Sequence, residues 1–109
     1  MIEQIGNGGD AFSIMRLEHR ALAILRILNR MPGYGANDRL LGDMLKLMGL
    51  SGSQAETASQ LDELQVKGLV RLTRLEKLTA VDLTAKGAEA AEGLVAVEGV
   101  LRPRPECPY

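Results

Sequence analysis

Hydrophobic positions recur at helical spacing over the first two thirds of the chain, and the period changes after Gly68. From position 11 to about position 31 the chain has no glycine or proline, and its segment ALAILRILNRM is apolar around most of its circumference. This pattern predicts a first helix that is buried on more than one side. Leu or Met occupies positions 40, 41, 44, 45, 47 and 48, which predicts a second helix capped by Asn37 or Asp38 and ended by Gly49.

The segment SGSQAETASQLDELQVKGLVRL, residues 51–72, predicts a capped helix that leads through a glycine into a strand. Ser53 and Glu56 match the capping box S-x-x-E, so the third helix is expected to begin at Ser53 or Gln54 and to run to Lys67, with Gly68 as its stop. Helical spacing separates an inward stripe from an outward set. The inward stripe is Thr57, Leu61 and Leu64 with Ala58 beside them, and the outward residues are Gln54, Ala55, Glu56, Ser59 and Gln60.

The segments after this helix change to the composition of strands. LVRLTRL and KLTAVDL are rich in β-forming residues and are separated by the dipeptide EK, which predicts a hairpin. Thr84 is the expected N-cap of a fourth helix over TAKGAEAAEGLVAV. The tail RPRPECPY contains three of the four prolines, which predicts an extended arm.

The predicted order is three helices, two strands and a fourth helix, a mainly α fold with a β-hairpin. This is the winged helix-turn-helix arrangement (α-α-α-β-β-α), in which helices two and three, joined by GLSG, form the helix-turn-helix and the hairpin forms the wing. We divide the chain into a flexible N-terminal lead (1–10) with Asp10 as a candidate N-cap, the winged helix-turn-helix domain (11–98) and a proline-rich C-terminal arm (99–109).

Four segments resemble a known family in sequence and order: AILRILNRMPGYGAND, LDELQVKGLVRL, AVDLTAKGAEAAEG and GVLRPRP. The chain resembles small winged-helix proteins of Mu-like phages and prophages, often labelled ArsR-like transcriptional regulators, over residues 20–105. The patterns L-x-x-L-x-x-x-G-L-V and L-T-x-x-G are shared by regulators of the MarR and ArsR types. The combination of PGY-x-x-N with GV-x-RP-x-P is more specific to the phage proteins. The resemblance implies a winged-helix fold and a DNA-binding or regulatory role in the phage programme.

Composition narrows the function classes. The chain has 109 residues, a net charge of −1 and a single cysteine, which suits one domain without a general basic coat or a disulfide framework. No signal peptide or long apolar run is present in the sequence, so we expect a cytoplasmic protein. His19 and Cys107 have no second metal ligand or catalytic base near them in sequence. We therefore expect no metal, no cofactor and no enzymatic activity.

The candidate DNA contacts fall in the third helix, the wing and the arm. Glutamine and serine side chains can bond base edges, and arginine and lysine grip phosphates. In helix three the candidates are Ser53, Gln54, Ser59 and Gln60. In the wing they are Arg71, Arg74 and Lys77, whose charge also suits an edge strand that resists aggregation, and in the arm they are Arg102 and Arg104, which suit either a minor groove or packing on a partner subunit.

The third helix departs from related DNA-binding winged helices, which commonly carry arginines at its start. It has three carboxylates against one lysine, at the end, while the arginines of helix one are expected to form a solvated face. Two hypotheses follow. In the first, the protein is a regulator that binds double-stranded DNA as a homodimer through helix three and the wing, with helices one and four as the dimer interface. In the second, it is an adaptor whose acidic third helix docks on another protein.

Overall fold

The chain is a winged helix in a computed structural model that describes residues 2–109, with side chains described from Asp10 onward. Four α-helices and three short strands are connected in the order below, with a 3₁₀ turn at Pro32–Tyr34. The elements are α1 (Ile2–Arg30), β1 (Gly35–Asn37), α2 (Asp38–Leu47), α3 (Gln54–Val66), β2 (Val70–Arg74), β3 (Thr79–Leu83) and α4 (Ala85–Ala91). Among the described residues, no helix is both long enough and apolar enough to cross a membrane.

The first helix begins at Ile2, eight residues before the predicted cap at Asp10. The expected start at Asp10 is therefore wrong. The glycines of GNGGD lower helix propensity but do not forbid helical backbone angles, and no proline interrupts the segment. By the usual rise per residue, the helix is roughly 43 Å long.

The sheet has three antiparallel strands in the order β1-β3-β2. The wing hairpin is confirmed, with Arg71 opposite Asp82 and the Leu75 amide bonded to the Leu78 carbonyl across the EK turn at 2.8 Å. Strand β1, which was not predicted, adds a third strand at the other edge of β3. A Cβ at Gly35 would lie 2.7 Å from Oδ1 of Asp82, so the glycine allows the close pairing of β1 with β3.

The second half of α1 forms the centre of the core. All residues from Arg20 to Leu25 are buried, as are Ile27 and Leu28. Val100 and Tyr109 of the arm pack against this core, as do Val95 and Val97 just before it. The apolar side chains of α1 between Ala21 and Leu28 are therefore covered within one chain, whereas Phe12, Ile14 and Met15 nearer its start are exposed.

The fourth helix ends at Ala91, six residues before the predicted end at Val97. Gly93 adopts a φ of 79°, and the Leu94 amide bonds the Glu89 carbonyl at 2.8 Å, which is the hydrogen bond of a Schellman stop. Val95 and Val97 then follow the end of the helix and pack on the core before the arm begins. Helix propensity in this segment yields to a glycine stop and to burial of the valines.

Candidate nucleic-acid interface

The helix-turn-helix is formed by α2 and α3, and both helices begin with a side-chain cap. Oδ1 of Asn37 accepts from the Leu40 amide at 2.8 Å, and Oγ of Ser53 accepts from the Glu56 amide at 3.0 Å. Gly49, with a φ of 76°, takes the left-handed conformation that ends α2. The predicted starts of both helices are confirmed, and Ser53 serves as a cap at an exposed position.

A buried arginine lies directly behind α3. Arg20 is fully buried, so the expectation that the arginines of helix one form a solvated face is wrong at this position. Its Nε donates to Oε1 of Gln60 at 3.1 Å, its Nη2 donates to Oγ1 of Thr57 at 2.7 Å, and its Nη1 donates to the Leu50 carbonyl. Burial lowers the pKa of Arg20, and nearby Glu56 opposes that shift. One side chain thus joins α1, α3 and the turn before α3.

A second arginine holds the acidic start of α3. Arg16 binds both carboxylate oxygens of Glu56 at 2.8 Å and also donates to the Ser51 carbonyl. The hydrogen bond to Glu56 raises the pKa of Arg16, and the same bond lowers the pKa of Glu56. Glu56 therefore presents a neutralised carboxylate rather than a free negative charge at the start of the helix.

A glycine makes room for this cluster, which we call the α1–α3 cluster (Arg16, Arg20, Glu56, Thr57 and Gln60). A Cβ at Gly52 would lie 2.7 Å from Nη1 of Arg20 and 3.0 Å from Nη2 of Arg16, and it would also clash with Oε1 of Glu56. The turn GLSG therefore needs a glycine at this position for a packing reason. Sequence analysis identified the turn but not the arginines that it accommodates.

The prediction that Gln60 faces outward is wrong. Gln60 is buried, and its amide also donates to the Leu17 carbonyl at 2.6 Å, so both ends of the side chain are bonded inside the protein. The predicted burial of Thr57, Leu61 and Leu64 is confirmed, whereas Ala58 is exposed. Of the candidate base contacts, Gln54 and Ser59 are exposed.

The outer face of α3 carries no cation. Its exposed residues are Gln54, Ala55, Ala58, Ser59, Asp62, Glu63, Gln65 and Val66. The helix as a whole, from Gln54 to Val66, contains no lysine or arginine. Positive charge beside α3 must come from neighbouring elements.

The wing supplies part of that charge. All three predicted wing cations are exposed. Arg74 leans back over α3 and pairs with Asp62 at 2.9 Å, in an ion pair whose two side chains are more than half exposed. Side chains alternate along a strand, so Leu72 and Arg74 share one face of β2 and Arg71 lies on the other face. Lys77 lies in the turn.

Two cations that were not predicted lie on α2. Arg39 and Lys46 line a groove of about 300 Å³ between α2 and α3, together with Gln54 and the carboxylates of Asp38 and Asp43. The seven-residue interval between Arg39 and Lys46 puts them on one face of α2, opposite the buried Leu41 and Leu45. The seven-residue interval between the two cations was the feature of the sequence that could have predicted their common face.

The arm does not join the wing. Arg102 donates to the Gly93 carbonyl at 3.4 Å, and Arg104 pairs with Glu106 at 3.6 Å, so both arginines bond within the arm and its junction with α4. The rest of the arm follows α1. The Tyr109 main-chain oxygen accepts from Arg26 at 3.0 Å and from Arg30, and the Tyr109 hydroxyl lies 2.8 Å from Nδ1 of His19.

This geometry can be compared with known proteins. The chain is 39% identical to the uncharacterized protein gp26 of Escherichia phage Mu over 88 residues, which cover 81% of this chain and 91% of the Mu protein. The chain belongs to the family of Mu gp26. No protein-family model matches it. The phage origin expected from the resemblance is thus supported, and the link to ArsR and MarR regulators stays a hypothesis.

Solved structures of RosR share the fold of this gp26 family member. The complex hsRosR-S4 matches with a TM-score of 0.56 and 23% identity, covering 66% of this chain. A structure of H. salinarum RosR matches with a TM-score of 0.57 and 23% identity over 67% of this chain. The chain spans 62% of the length of RosR in the first of these. At this identity the likeness shows the winged-helix fold.

Proposed function

We propose that this phage protein acts in the host cytoplasm by binding double-stranded DNA and regulating transcription, not by catalysis. The observation that carries the proposal is the arrangement of exposed cations on both sides of α3. Arg39 and Lys46 stand beside its start in the groove that the exposed Gln54 also lines, and Arg74 stands beside its middle. A helix-turn-helix of this form offers Gln54 and Ser59 to bases and the flanking cations to phosphates.

The charges also indicate which elements are expected to contact the DNA phosphates. In the α2 groove, Asp38 and Asp43 balance Arg39 and Lys46. The wing has three cations and only Glu76 among its exposed carboxylates, so it carries the net positive charge. Phosphate contacts are therefore expected mainly from Arg71 and Lys77, which have no ion pair within residues 10–109. Binding of this kind weakens as salt rises.

A duplex titration tests this proposal. Fluorescence anisotropy of a labelled pool of random-sequence duplexes is measured at about 50 mM and about 200 mM salt. The double variant Arg71→Ala and Lys77→Ala is expected to raise Kd about tenfold. Lys86→Ala is the matched control, because Lys86 is an exposed cation on α4 that bonds only the Lys67 carbonyl. Absence of duplex binding by the unaltered protein at the lower salt would reject the proposal.

We further propose that the protein is a homodimer. Its interface is expected on α1 alone and is smaller than one formed by helices one and four together. Among the side chains of α1 that are described, from Asp10 onward, the large apolar ones that are exposed are Phe12, Ile14 and Met15, at 74%, 57% and 52%. Helix α4 has no large exposed apolar side chain between Ala85 and Ala91. Sedimentation equilibrium measures the mass of the species in solution independently of its shape. A species of 11.8 kDa at all concentrations would exclude the dimer.

The adaptor hypothesis keeps one specific observation in its favour. The outer face of α3 lacks cations and exposes Val66 at 87%. An exposed valine beside carboxylates suits a protein partner better than a phosphate backbone. The same duplex titration separates the two functions, because an adaptor gives no salt-dependent anisotropy change with duplex DNA.

A further inference from the structure

A groove on the other side of α3 faces away from the wing. It has a volume of about 260 Å³ and lies between α1, α3 and the arm. Ile14 and Leu17 of α1 provide apolar surface, Ser59 and Glu63 of α3 form the opposite wall, and Gly99 of the arm closes one side. Glu18 also lines the groove, so a carboxylate stands on each of the two helices that form it.

These two carboxylates differ from the other acidic residues of α3. Glu56 is bonded to Arg16, and Asp62 is paired with Arg74. Within residues 10–109, neither Glu18 nor Glu63 forms an ion pair. An apolar surface between two unpaired carboxylates is complementary to an apolar side chain flanked by lysine or arginine.

We infer that this groove, which we call the α1–α3 groove, is a docking site for a basic amphipathic helical segment of another protein. An apolar side chain of that segment would pack on Ile14 and Leu17, and its cations would pair with Glu18 and Glu63. Duplex DNA does not fit here, because its phosphates would meet the two carboxylates.

A second copy of this chain that docks through the start of its α1 does not fit either. The exposed part of α1 from Asp10 to Met15 carries no cation, so a copy that docked through this segment would bring Asp10 toward Glu18 and Glu63. The groove shares Ile14 with the proposed dimer contact and extends beyond that contact to Glu18 and Glu63. Docking in the groove does not depend on DNA binding by the wing, because no wing residue lines the groove, which shares Ser59 and Glu63 with the outer face of α3.

A designed peptide tests the inference. The probe is a fluorescein-labelled peptide of about 18 residues with leucine and lysine at helical spacing, and its control has glutamate in place of lysine. The lysine peptide is expected to bind saturably and the glutamate peptide is not. Glu63→Lys is expected to raise Kd for the lysine peptide at least about tenfold, and Ile14→Ser at least about threefold.

The matched control is Glu89→Lys, the same charge reversal at an exposed position on α4. It is expected to change Kd less than about twofold, since its charge is outside the groove. Amide chemical shifts should change at Leu17, Glu18 and Glu63 when the peptide is added. No saturable binding, equal effects of Glu63→Lys and Glu89→Lys, or shift changes confined to another surface would each overturn the inference. Glu63→Lys adds positive charge to α3 and is not expected to weaken duplex binding, so failure of this site and failure of the DNA proposal are distinguishable.

Discussion

The two long faces of α3 use their polar residues in opposite ways. On the inner face, Thr57 and Gln60 are buried and bonded to the buried Arg20. On the outer face, Ser59 is exposed and Asp62 pairs with Arg74 in an ion pair open to solvent. Buried bonds leave unsatisfied groups when one partner is lost, whereas exposed ion pairs contribute little. The inner face therefore fixes the helix, and the outer face remains available for a partner.

This difference explains why the polar residues of a helix do not by themselves identify the molecule that the helix binds. Gln60 and Ser59 are adjacent in sequence and both suit a base edge, yet only Ser59 is accessible. Glu56 looks unfavourable for DNA binding, yet it is neutralised from α1. The residues that matter for each outcome lie on another helix, so the charge of α3 alone does not decide between DNA and protein as its partner.

The largest expected effect comes from removing the buried guanidinium. Arg20→Met keeps an unbranched apolar side chain but leaves Gln60, Thr57 and the Leu50 carbonyl without their donor. Because these three neutral acceptors lose their donor inside the protein, we expect the free energy of unfolding to fall by about 3–5 kcal/mol, measured by urea denaturation. The control is Arg39→Met on the exposed surface of α2, which is expected to change it by less than about 0.5 kcal/mol. Equal effects of the two substitutions would show that the α1–α3 cluster does not stabilise the fold.

A smaller effect on the free energy of unfolding is expected from lowering the pH, through Glu56 at the boundary between the two faces of α3. The hydrogen bond from Arg16 lowers the pKa of Glu56 below its ordinary value of 4.5, so the ion pair contributes stability above that value. This contribution is lost as the pH falls through the lower pKa of the folded state. Because both side chains are about one third exposed, the contribution is at most about 1 kcal/mol.

Unfolding of Glu56→Gln measured against pH isolates this contribution. The difference in unfolding free energy between the two proteins should shrink as the pH falls below 4.5, the ordinary pKa of the carboxyl. A difference that stays constant down to acid pH would show that the charge of Glu56 does not contribute to the free energy of unfolding.

The smallest effect is expected on the outer face. Asp62→Asn removes a carboxylate from the surface beside the proposed phosphate path and releases Arg74 from its ion pair. We expect duplex DNA to bind about threefold more tightly, measured by anisotropy at about 50 mM salt. Glu89→Gln makes the same charge change on α4 and should leave Kd unchanged. Weaker binding by Asp62→Asn would favour a protein partner for the outer face.

Local sequence patterns predicted the elements of the helix-turn-helix and wing. The caps at Asn37, Ser53 and Thr84 each depend on a side chain that accepts from an amide three residues ahead. The stops at Gly49 and Gly68 depend on a positive φ, which glycine adopts without strain. Such features are encoded within a few residues, so one sequence suffices to find them.

The predictions from sequence that were wrong concern contacts between residues that are distant along the chain. Arg20 and Gln60 are 40 residues apart, and each has an ordinary place on an amphipathic helix until the other is known. Strand β1 has only three residues and forms because β3 offers a free edge. The arm was expected to extend freely or to meet a partner, and instead it completes the core around α1.

Arg20 also determines how α3 can be oriented. Its guanidinium is a rigid plane with donors in fixed directions, and these reach two residues one turn apart on α3 and the carbonyl before its cap. Rotation of α3 about its own axis would break these bonds together. A lysine at this position has one freely rotating ammonium and would leave that rotation undefined. The direction in which Gln54 and Ser59 point is therefore set by a side chain on α1.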